Sequence, residues 1–383
     1  MKYIFSRVGL FLSCGFIYYI IEIGDHMKVI ISAGGTGGHI YPALAIVKKI
    51  KEKEPNSDIL YIGTHNRMEK DIVPKENIKY ESIEIYGFSK TMIKRDIQNI
   101  GLILKAEKKC LKIMKEFKPD IVIGVGGYVT FPVLRAARKL KIKTFIHEQN
   151  SIPGKSNKVL SKKVDLIGVS FKDTLKYFGN NAFLSGNPCG EMAIDRKPIS
   201  KKEFGVPLNH KCVLIVQGSL GSGIINKKME EYLRSIKEEN YDVIYVTGKS
   251  YFDAFPKDFS KNVHIVPYID NMSALIKDID ILVTRAGASV ISEIMALGKP
   301  SILIPSPYVA NNHQYYNAKS LSDANAGIMI EEKDLTKDKL KEEINKLLTN
   351  EKLYKEISEN AKKMSIDNSS TLIYEKIKEL IKE

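Results

Sequence analysis

The sequence predicts an α/β fold made of two doubly wound, parallel-sheet domains that face each other across a cleft. Three observations predict it. Short β-branched apolar runs alternate with amphipathic helical stretches, and the alternation occurs twice, once in each half of the chain. Strand candidates in both halves run directly into glycine-rich turns that open helices, at 33–39, 218–222 and 285–289. Finally, 383 residues exceed one ordinary core, while an apolar fraction of 44% is that of a globular protein.

Residues 1–26 carry Lys2 and Arg7, then an apolar run from Val8 to Ile23 interrupted by Glu22. The run is short for a membrane span, and no small-residue cleavage site follows it. Gly24-Asp25-His26 can be encoded by GGA-GAT-CAT, which contains a ribosome-binding sequence ahead of Met27. Met27 is therefore the expected start, with 1–26 an upstream extension that is not translated.

From Met27 the strand candidates are 28–32, 58–62, 78–83, 120–124, 143–147, 164–169 and 182–185, with helices at 41–53, 97–118, 129–140 and 154–161. Ligands of such sheets sit beyond the carboxyl ends of the strands. Gly34 to His39, Gly124 to Thr130 and His147-Glu148-Gln149-Asn150 all fall there. The turn Ser185-Gly186-Asn187-Pro188 ends this half, and 190–209, polar and broken by Pro198 and Pro207, reads as an aperiodic boundary. This places an acceptor-side domain at 27–188 and a second domain at 189–383, whose last helix is expected to cross back. In the second half, strands are expected at 211–217, 241–247, 263–266, 279–284, 300–304 and 327–330, and the tail from Leu335 is helical.

The net charge of +14 fits an anionic membrane surface, a phosphate-rich substrate or simple compositional bias. Nucleic acid is set aside because aromatic and basic residues are not interleaved as an RNA platform needs. Cys14, Cys110, Cys189 and Cys212 are scattered, so they form neither a disulfide framework nor a zinc site. Asp278-Ile279-Asp280 mimics a metal-binding DxD, yet it sits at a helix–strand junction with no companion ligands, and no metal is expected.

Four residue groups are chemically suggestive. In Gly34-Gly35-Thr36-Gly37-Gly38-His39 the glycines can approach a phosphate, and His39 can act as a general base; otherwise the loop is a turn with a capping histidine. Gly218-Ser219-Leu220-Gly221-Ser222 offers N–H groups and a hydroxyl to a diphosphate, or is an ordinary βα turn. Glu293, one turn into the helix after Arg285-Ala286-Gly287-Ala288-Ser289, can accept ribose hydroxyls, or merely favours a helix start. Asn311, Asn312, His313, Gln314 and Asn317 suit sugar hydroxyls, or cap and solvate a loop. Ile85, Tyr86, Phe88, Met92 and Ile93 precede a basic helix with nine Lys/Arg against three Asp/Glu between Lys90 and Lys118. Apolar residues beside a basic face suit an anionic bilayer, while Ile100, Ile103, Cys110, Met114 and Phe117 form a stripe expected to pack on the sheet.

Together the motifs resemble the MurG family, the bacterial peptidoglycan N-acetylglucosaminyltransferases. The matching stretches are AGGTGGHIYPALA (33–45), GVGGYVTFP (124–132), HEQNSIPGKSNK (147–158), SGNP (185–188), QGSLGS (217–222), RAGASVISEI (285–294) and ANNHQYYNA (310–318), in family order. The resemblance implies the GT-B fold and inverting, β-1,4 transfer of N-acetylglucosamine from UDP-N-acetylglucosamine to the 4-hydroxyl of undecaprenyl-diphospho-muramoyl-pentapeptide. It implies no cofactor and a peripheral place on the cytoplasmic face of the cell membrane. It puts donor contacts on Thr36, Gly37, Gly38, Asn150, Ser219, Ile269 (in PYIDNM, near the uracil) and Gln314, the ribose carboxylate on Glu293 and the base on His39. Two departures remove polar groups from the diphosphate region. Gly190 stands where many members carry arginine, and Leu220 stands at the glutamine of the usual GGSQGA turn. The alternative readings are another GT-B transferase with a lipid acceptor, or a non-catalytic membrane scaffold.

Overall fold

A computed structural model of the chain describes residues 8–13, 16–21, 26–87, 93–218, 223–237 and 239–383. Strands β1 (Val8–Ser13) and β2 (Phe16–Ile21) pair antiparallel as a separate two-stranded ribbon.

The first domain is built on a seven-stranded parallel sheet. Its strands are β3 (Lys28–Ser32), β4 (Asp58–Thr64), β5 (Lys79–Ile83), β6 (Ile121–Gly124), β7 (Lys143–Glu148), β8 (Leu166–Val169) and β9 (Ala182–Leu184), in the order β5-β4-β3-β6-β7-β8-β9. The chain winds outward from β3 to β5, then restarts at β6 and winds the other way. The reversal leaves a crevice where β3 and β6 end, and their register aligns Ser32 with Gly124 there. Helices α1 (Gly37–Lys53), α2 (Glu69–Ile72), α3 (Ile93–Phe117), α4 (Thr130–Lys139) and α5 (Lys155–Leu160) connect these strands. Both faces of the sheet are covered, one by a core containing Cys110, Met114, Val133 and Ile167, the other by Val29, Ile31, Ala43 and Phe145. This two-sided burial explains why the strands read as unbroken apolar runs.

Helix α1 begins at Gly37, four residues earlier than the sequence suggests, so Pro42 lies inside the helix. Lacking an N–H, Pro42 leaves the Gly38 carbonyl without its helical partner. The region 190–209 is also more ordered than its composition implies. Helix α6 (Pro188–Asp195) runs into it, with Pro188 at its first position and Asn187 Oδ1 accepting from the Cys189 N–H at 3.1 Å. The Asn-Pro pair was a legible helix start, obscured by the polar residues after it.

The second domain repeats the design with β10 (Lys211–Val216), β11 (Tyr241–Val246), β12 (Val263–Val266), β13 (Ile281–Thr284), β14 (Ser301–Leu303) and β15 (Ile328–Met329), ordered β12-β11-β10-β13-β14-β15. Its winding reverses between β10 and β13. The helices are α7 (Gly223–Ser235), α8 (Lys249–Phe252), α9 (Met272–Ile276), α10 (Ala288–Leu297), α11 (His313–Asp323), α12 (Lys337–Thr349), α13 (Glu351–Lys363) and α14 (Ser369–Lys382). Asp278 and Asp280 serve the backbone: Asp278 Oδ2 accepts from the Lys201 N–H and Asp280 Oδ2 from the Cys212 N–H, each at 2.8 Å.

Helix α14 packs against the first domain. Ile373, Ile377 and Leu380, spaced along one helical face, join the core of Val29, Ile31 and Phe145. Tyr374 and Lys378 both donate to Glu54 Oε1 at 2.7 Å. Glu191 on α6 receives the Ser370 N–H and hydroxyl at 2.6 Å and an ion pair from Lys49 of α1 at 3.0 Å. One buried carboxylate thus ties α6, α1 and the start of α14 together.

Candidate active site in the inter-domain cleft

Two glycine loops meet at the β3/β6 crevice. Gly34 donates its N–H to the Gly126 carbonyl at 3.3 Å. A Cβ on Gly127, whose φ is +87°, would strike the Gly34 carbonyl, and one on Gly126, at φ +105°, would lie 2.6 Å from His39 Nδ1. These glycines therefore exist so that the loops and the imidazole can stack. A carboxylate that sequence reasoning missed supports the first loop from behind. Glu69, fully buried, accepts from the Gly35 N–H at 3.2 Å and from the Thr64 hydroxyl at 2.6 Å. Gly34 and Gly35 are thus committed internally, and Thr36, Gly37 and Gly38 form the part of the loop that faces outward. Thr36 is exposed and occupies the N-cap in an extended conformation, with its hydroxyl making no cap bond. Gly37 and Gly38 open α1, where a helix leaves N–H groups unpaired.

His39 stands in the first turn of α1, its Nδ1 2.9 Å from Gln149 Oε1 just past β7. Across the cleft His313 opens α11, near enough to feel the His39 charge. Burial holds the His313 imidazole below its ordinary range. Asn311 and Asn312 ahead of it take left-handed conformations, with φ of +55° and +51°.

The second domain's wall centres on Glu293. Its carboxyl is buried and Oε2 has no hydrogen-bond partner among the described residues. Burial pushes it up to about 7, against the pull of Arg196. The Arg196 charge acts on Glu293, Cys189 and Tyr41, and the Tyr41 phenol is raised by burial and then by Tyr268. Arg196 is anchored by donating to the Ser273 hydroxyl at 3.0 Å. Lys249 lies over the Tyr268 ring at 4.7 Å. Arg196 and Tyr41 were not singled out from the sequence. Arg196 sits in what read as a polar boundary, and Tyr41 in what read as a helix face.

The remaining expected residues distribute unevenly. Gln314 Oε1 accepts from the Ser306 N–H at 2.9 Å, and its amide NH2 donates to no other group among the described residues. Asn150 is tied into the seam between domains, its Oδ1 receiving Asn317 Nδ2 at 3.2 Å and its own Nδ2 reaching Glu148 Oε1 at 3.3 Å. Ile269 is buried in the second domain's core, so only its main chain is left to meet a ligand. Ser219 and Leu220 lie outside the described residues. Gly190 has a packing explanation: a Cβ there would lie 3.1 Å from the Ser292 carbonyl oxygen and 3.3 Å from Ala296 Cβ, because α6 crosses α10 at close range.

Of the apolar residues ahead of the basic helix, Ile85 is core, correcting its expected surface role. Phe88 and Met92 lie outside the described residues. Ile103, Cys110 and Met114 pack inward as expected, but Ile100 is 55% exposed, beside Leu104 at 58%.

Comparison with known proteins agrees with this architecture. Residues 29–169 match the glycosyltransferase family 28 N-terminal domain and residues 212–372 the glycosyltransferase family 28 C-terminal domain. The chain is 41% identical over 361 residues to the UDP-N-acetylglucosamine--N-acetylmuramyl-(pentapeptide) pyrophosphoryl-undecaprenol N-acetylglucosamine transferase of Bacillus pumilus, covering 92% of this chain and 99% of that protein. It is 42% identical over 364 residues to the Acetivibrio thermocellus protein of the same name, covering 93% and 99%. A crystal structure of Acinetobacter baumannii MurG superposes with a TM-score of 0.75 at 26% identity, over 92% of this chain and 99% of that one. The chain belongs to glycosyltransferase family 28, among the MurG-type N-acetylglucosaminyltransferases.

Proposed function

We propose that this chain transfers N-acetylglucosamine from UDP-N-acetylglucosamine to the 4-hydroxyl of undecaprenyl-diphospho-N-acetylmuramoyl-pentapeptide, forming the β-1,4-linked disaccharide lipid of peptidoglycan synthesis. The observation that carries the reading is the presence of His39 at the first domain's sheet crevice and, in the second domain, of Glu293, whose Oε2 has no partner among the described residues, in a chain 41% identical to a transferase of that name. His39 removes the proton of the acceptor hydroxyl as its oxygen attacks the anomeric carbon. The bond to UDP breaks on the opposite face, so the configuration inverts. Glu293 accepts ribose hydroxyls, and the Gln314 NH2 and the Ile269 main chain hold the sugar and the uracil. Charge growing on the departing diphosphate is met by Arg196 and by the N–H groups that open α7, and Ser219 is the donor contact that the family resemblance implies. Thr36, Gly37 and Gly38 face the acceptor's diphosphate, and Asn150 keeps the domains in register. No cofactor takes part.

The protein works as a peripheral enzyme on the cytoplasmic face of the cell membrane. Exposed Ile100 and Leu104 beside the lysines of α3, with a net charge of +14, support contact with an anionic bilayer. Among the described residues no helix is long and apolar enough to cross a membrane.

The deciding experiment supplies radiolabelled UDP-N-acetylglucosamine with either the muramoyl-pentapeptide lipid or diacylglycerol. Label entering only the former is the expected result. Label entering diacylglycerol would mean a different lipid glycosyltransferase, and donor binding without transfer to either would mean a scaffold.

A further inference from the structure

The ends of β3, β6 and β7, adjacent in the sheet, bring together a chain of hydrogen bonds whose direction is fixed at one end. His147, completely buried, places Nε2 2.9 Å from the Gly186 carbonyl in the turn between domains. A carbonyl only accepts, so Nε2 carries the proton of this histidine. Burial holds His147 down to about 4, which keeps it neutral. Its Nδ1 is therefore a bare acceptor, and it receives Gln149 Nε2 at 2.9 Å. The same amide nitrogen donates to the Val125 carbonyl at 2.9 Å and the His147 carbonyl at 3.0 Å. Three acceptors surround one end of the amide, so that end is the NH2 group and the other is the oxygen. The oxygen is the atom that meets His39 Nδ1. An amide oxygen cannot donate, so the hydrogen between them belongs to His39 Nδ1.

We propose that Gln149 is a positioning residue that holds His39 as the Nδ1–H tautomer, leaving the Nε2 lone pair bare for the acceptor hydroxyl. The inference rests on the reading of His39 as the base. It goes further in saying which nitrogen takes the proton and what sets it. The opposite tautomer would present an N–H to the acceptor hydroxyl, and no proton could be removed. Gln149 is 1% exposed, so solvent does not compete for its amide. The ring packs closely against Gly126, where any Cβ would meet Nδ1 at 2.6 Å. The anchor is Gly186, in the crossing between the two domains, whose own Cβ position is filled by Ile366 at 2.7 Å. The tautomer of a residue on one wall is thereby set by a chain that ends at the domain boundary.

Nitrogen NMR of the full chain labelled with 15N in its histidine rings tests this directly, with His39 assigned by loss of its signals in His39→Gln. The expected wild-type spectrum has His39 Nδ1 protonated and Nε2 bare. Gln149→Met is expected to lose that pattern and to lower kcat by about 10²-fold or more, with the dissociation constant for UDP unchanged. A protonated Nε2 in the wild type, or full turnover in Gln149→Met, overturns the proposal. The wild-type spectrum needs no variant to fold. Should His39→Ala retain turnover, the base assignment fails instead, and the spectrum keeps the two failures apart.

Discussion

Ser151 donates both its N–H and its hydroxyl to Oδ1 of Asn317, each at 2.9 Å, and so stitches the first domain to the second. Asn317 is fully buried and uses its Nδ2 on the Asn150 side-chain oxygen and the Ala286 carbonyl. All of its polar capacity is spent at the seam. Asn317→Ala is expected to cost about 1–3 kcal/mol, because it leaves buried donors unpaired. Thermal melts should show the loss. A double-mutant cycle with Ser151→Ala should show strong coupling, and simple additivity of the two would mean the seam is not a unit.

His39→Ala is expected to lower kcat by roughly 10²–10⁴-fold with UDP affinity nearly intact, the mark of a group that acts only on the acceptor. Steady-state kinetics with the lipid acceptor, alongside calorimetric UDP titration, separates the two quantities. Near-normal turnover would remove His39 as the base.

Glu293 gives the pH dependence. Its carboxyl is raised from 4.5 to about 7, so the folded protein holds a proton that the unfolded chain releases. The stability this supplies is complete below about pH 4.5 and is lost as pH climbs through about 7, to the extent of about 3 kcal/mol. Glu293→Gln should flatten the stability profile across that window and melt higher than the wild type at pH 8, in the absence of nucleotide. It should also weaken UDP-N-acetylglucosamine binding. Denaturant titrations between pH 5 and 8 that show equal slopes for both proteins would contradict the assignment.

Arg196→Ala should weaken donor binding by about 1.5–3 kcal/mol, the scale of a hydrogen bond to a charged group. It should also raise the Glu293 carboxyl further, since Arg196 is the charge that opposes its burial. Calorimetry with UDP and with uridine distinguishes a diphosphate contact from a general effect. Equal losses for both ligands would place Arg196 away from the phosphates.

Gly190 and Gly127 should respond differently to alanine. At Gly190 the new methyl meets the Ser292 carbonyl at 3.1 Å and can be relieved by a small shift of α6 from α10, costing about 1–3 kcal/mol. At Gly127 the methyl strikes the Gly34 carbonyl and the backbone has φ +87°, so both strain and overlap apply. Gly127→Ala should melt well below Gly190→Ala and take His39 activity with it.

How much of the site was legible followed from how local each feature is. The glycine loops follow directly on their strands, with His39 and Glu293 in the first turns of the helices they open, so spacing singled these residues out as candidates and the family resemblance gave them roles. Gln149 was visible as part of a dense polar run after a strand, but its direction depends on Gly186, Val125 and His147, brought in by three separate segments. Arg196 was invisible because Glu293 and Tyr41, the groups its charge acts on, lie far from it in the sequence and are brought to it only by the packing of α6 on α10 and α1. Asn317 read as a ligand contact because amides suit sugars, and Asn150 because the family resemblance put a donor contact there; the hydrogen bond between them joins residues 167 positions apart.

The sequence by itself determined the two-fold alternation of strand and helix and the placing of glycine turns at carboxyl ends. Both come from local propensity and from burial of the sheet on two faces, which a linear pattern records. Tertiary structure alone decided which carboxylates are free and which are committed, which amides bind the partner domain, and which imidazole nitrogen bears a proton. Those depend on desolvation and on hydrogen-bond direction. Each is set by atoms from distant parts of the chain converging on one point, and no spacing rule encodes that.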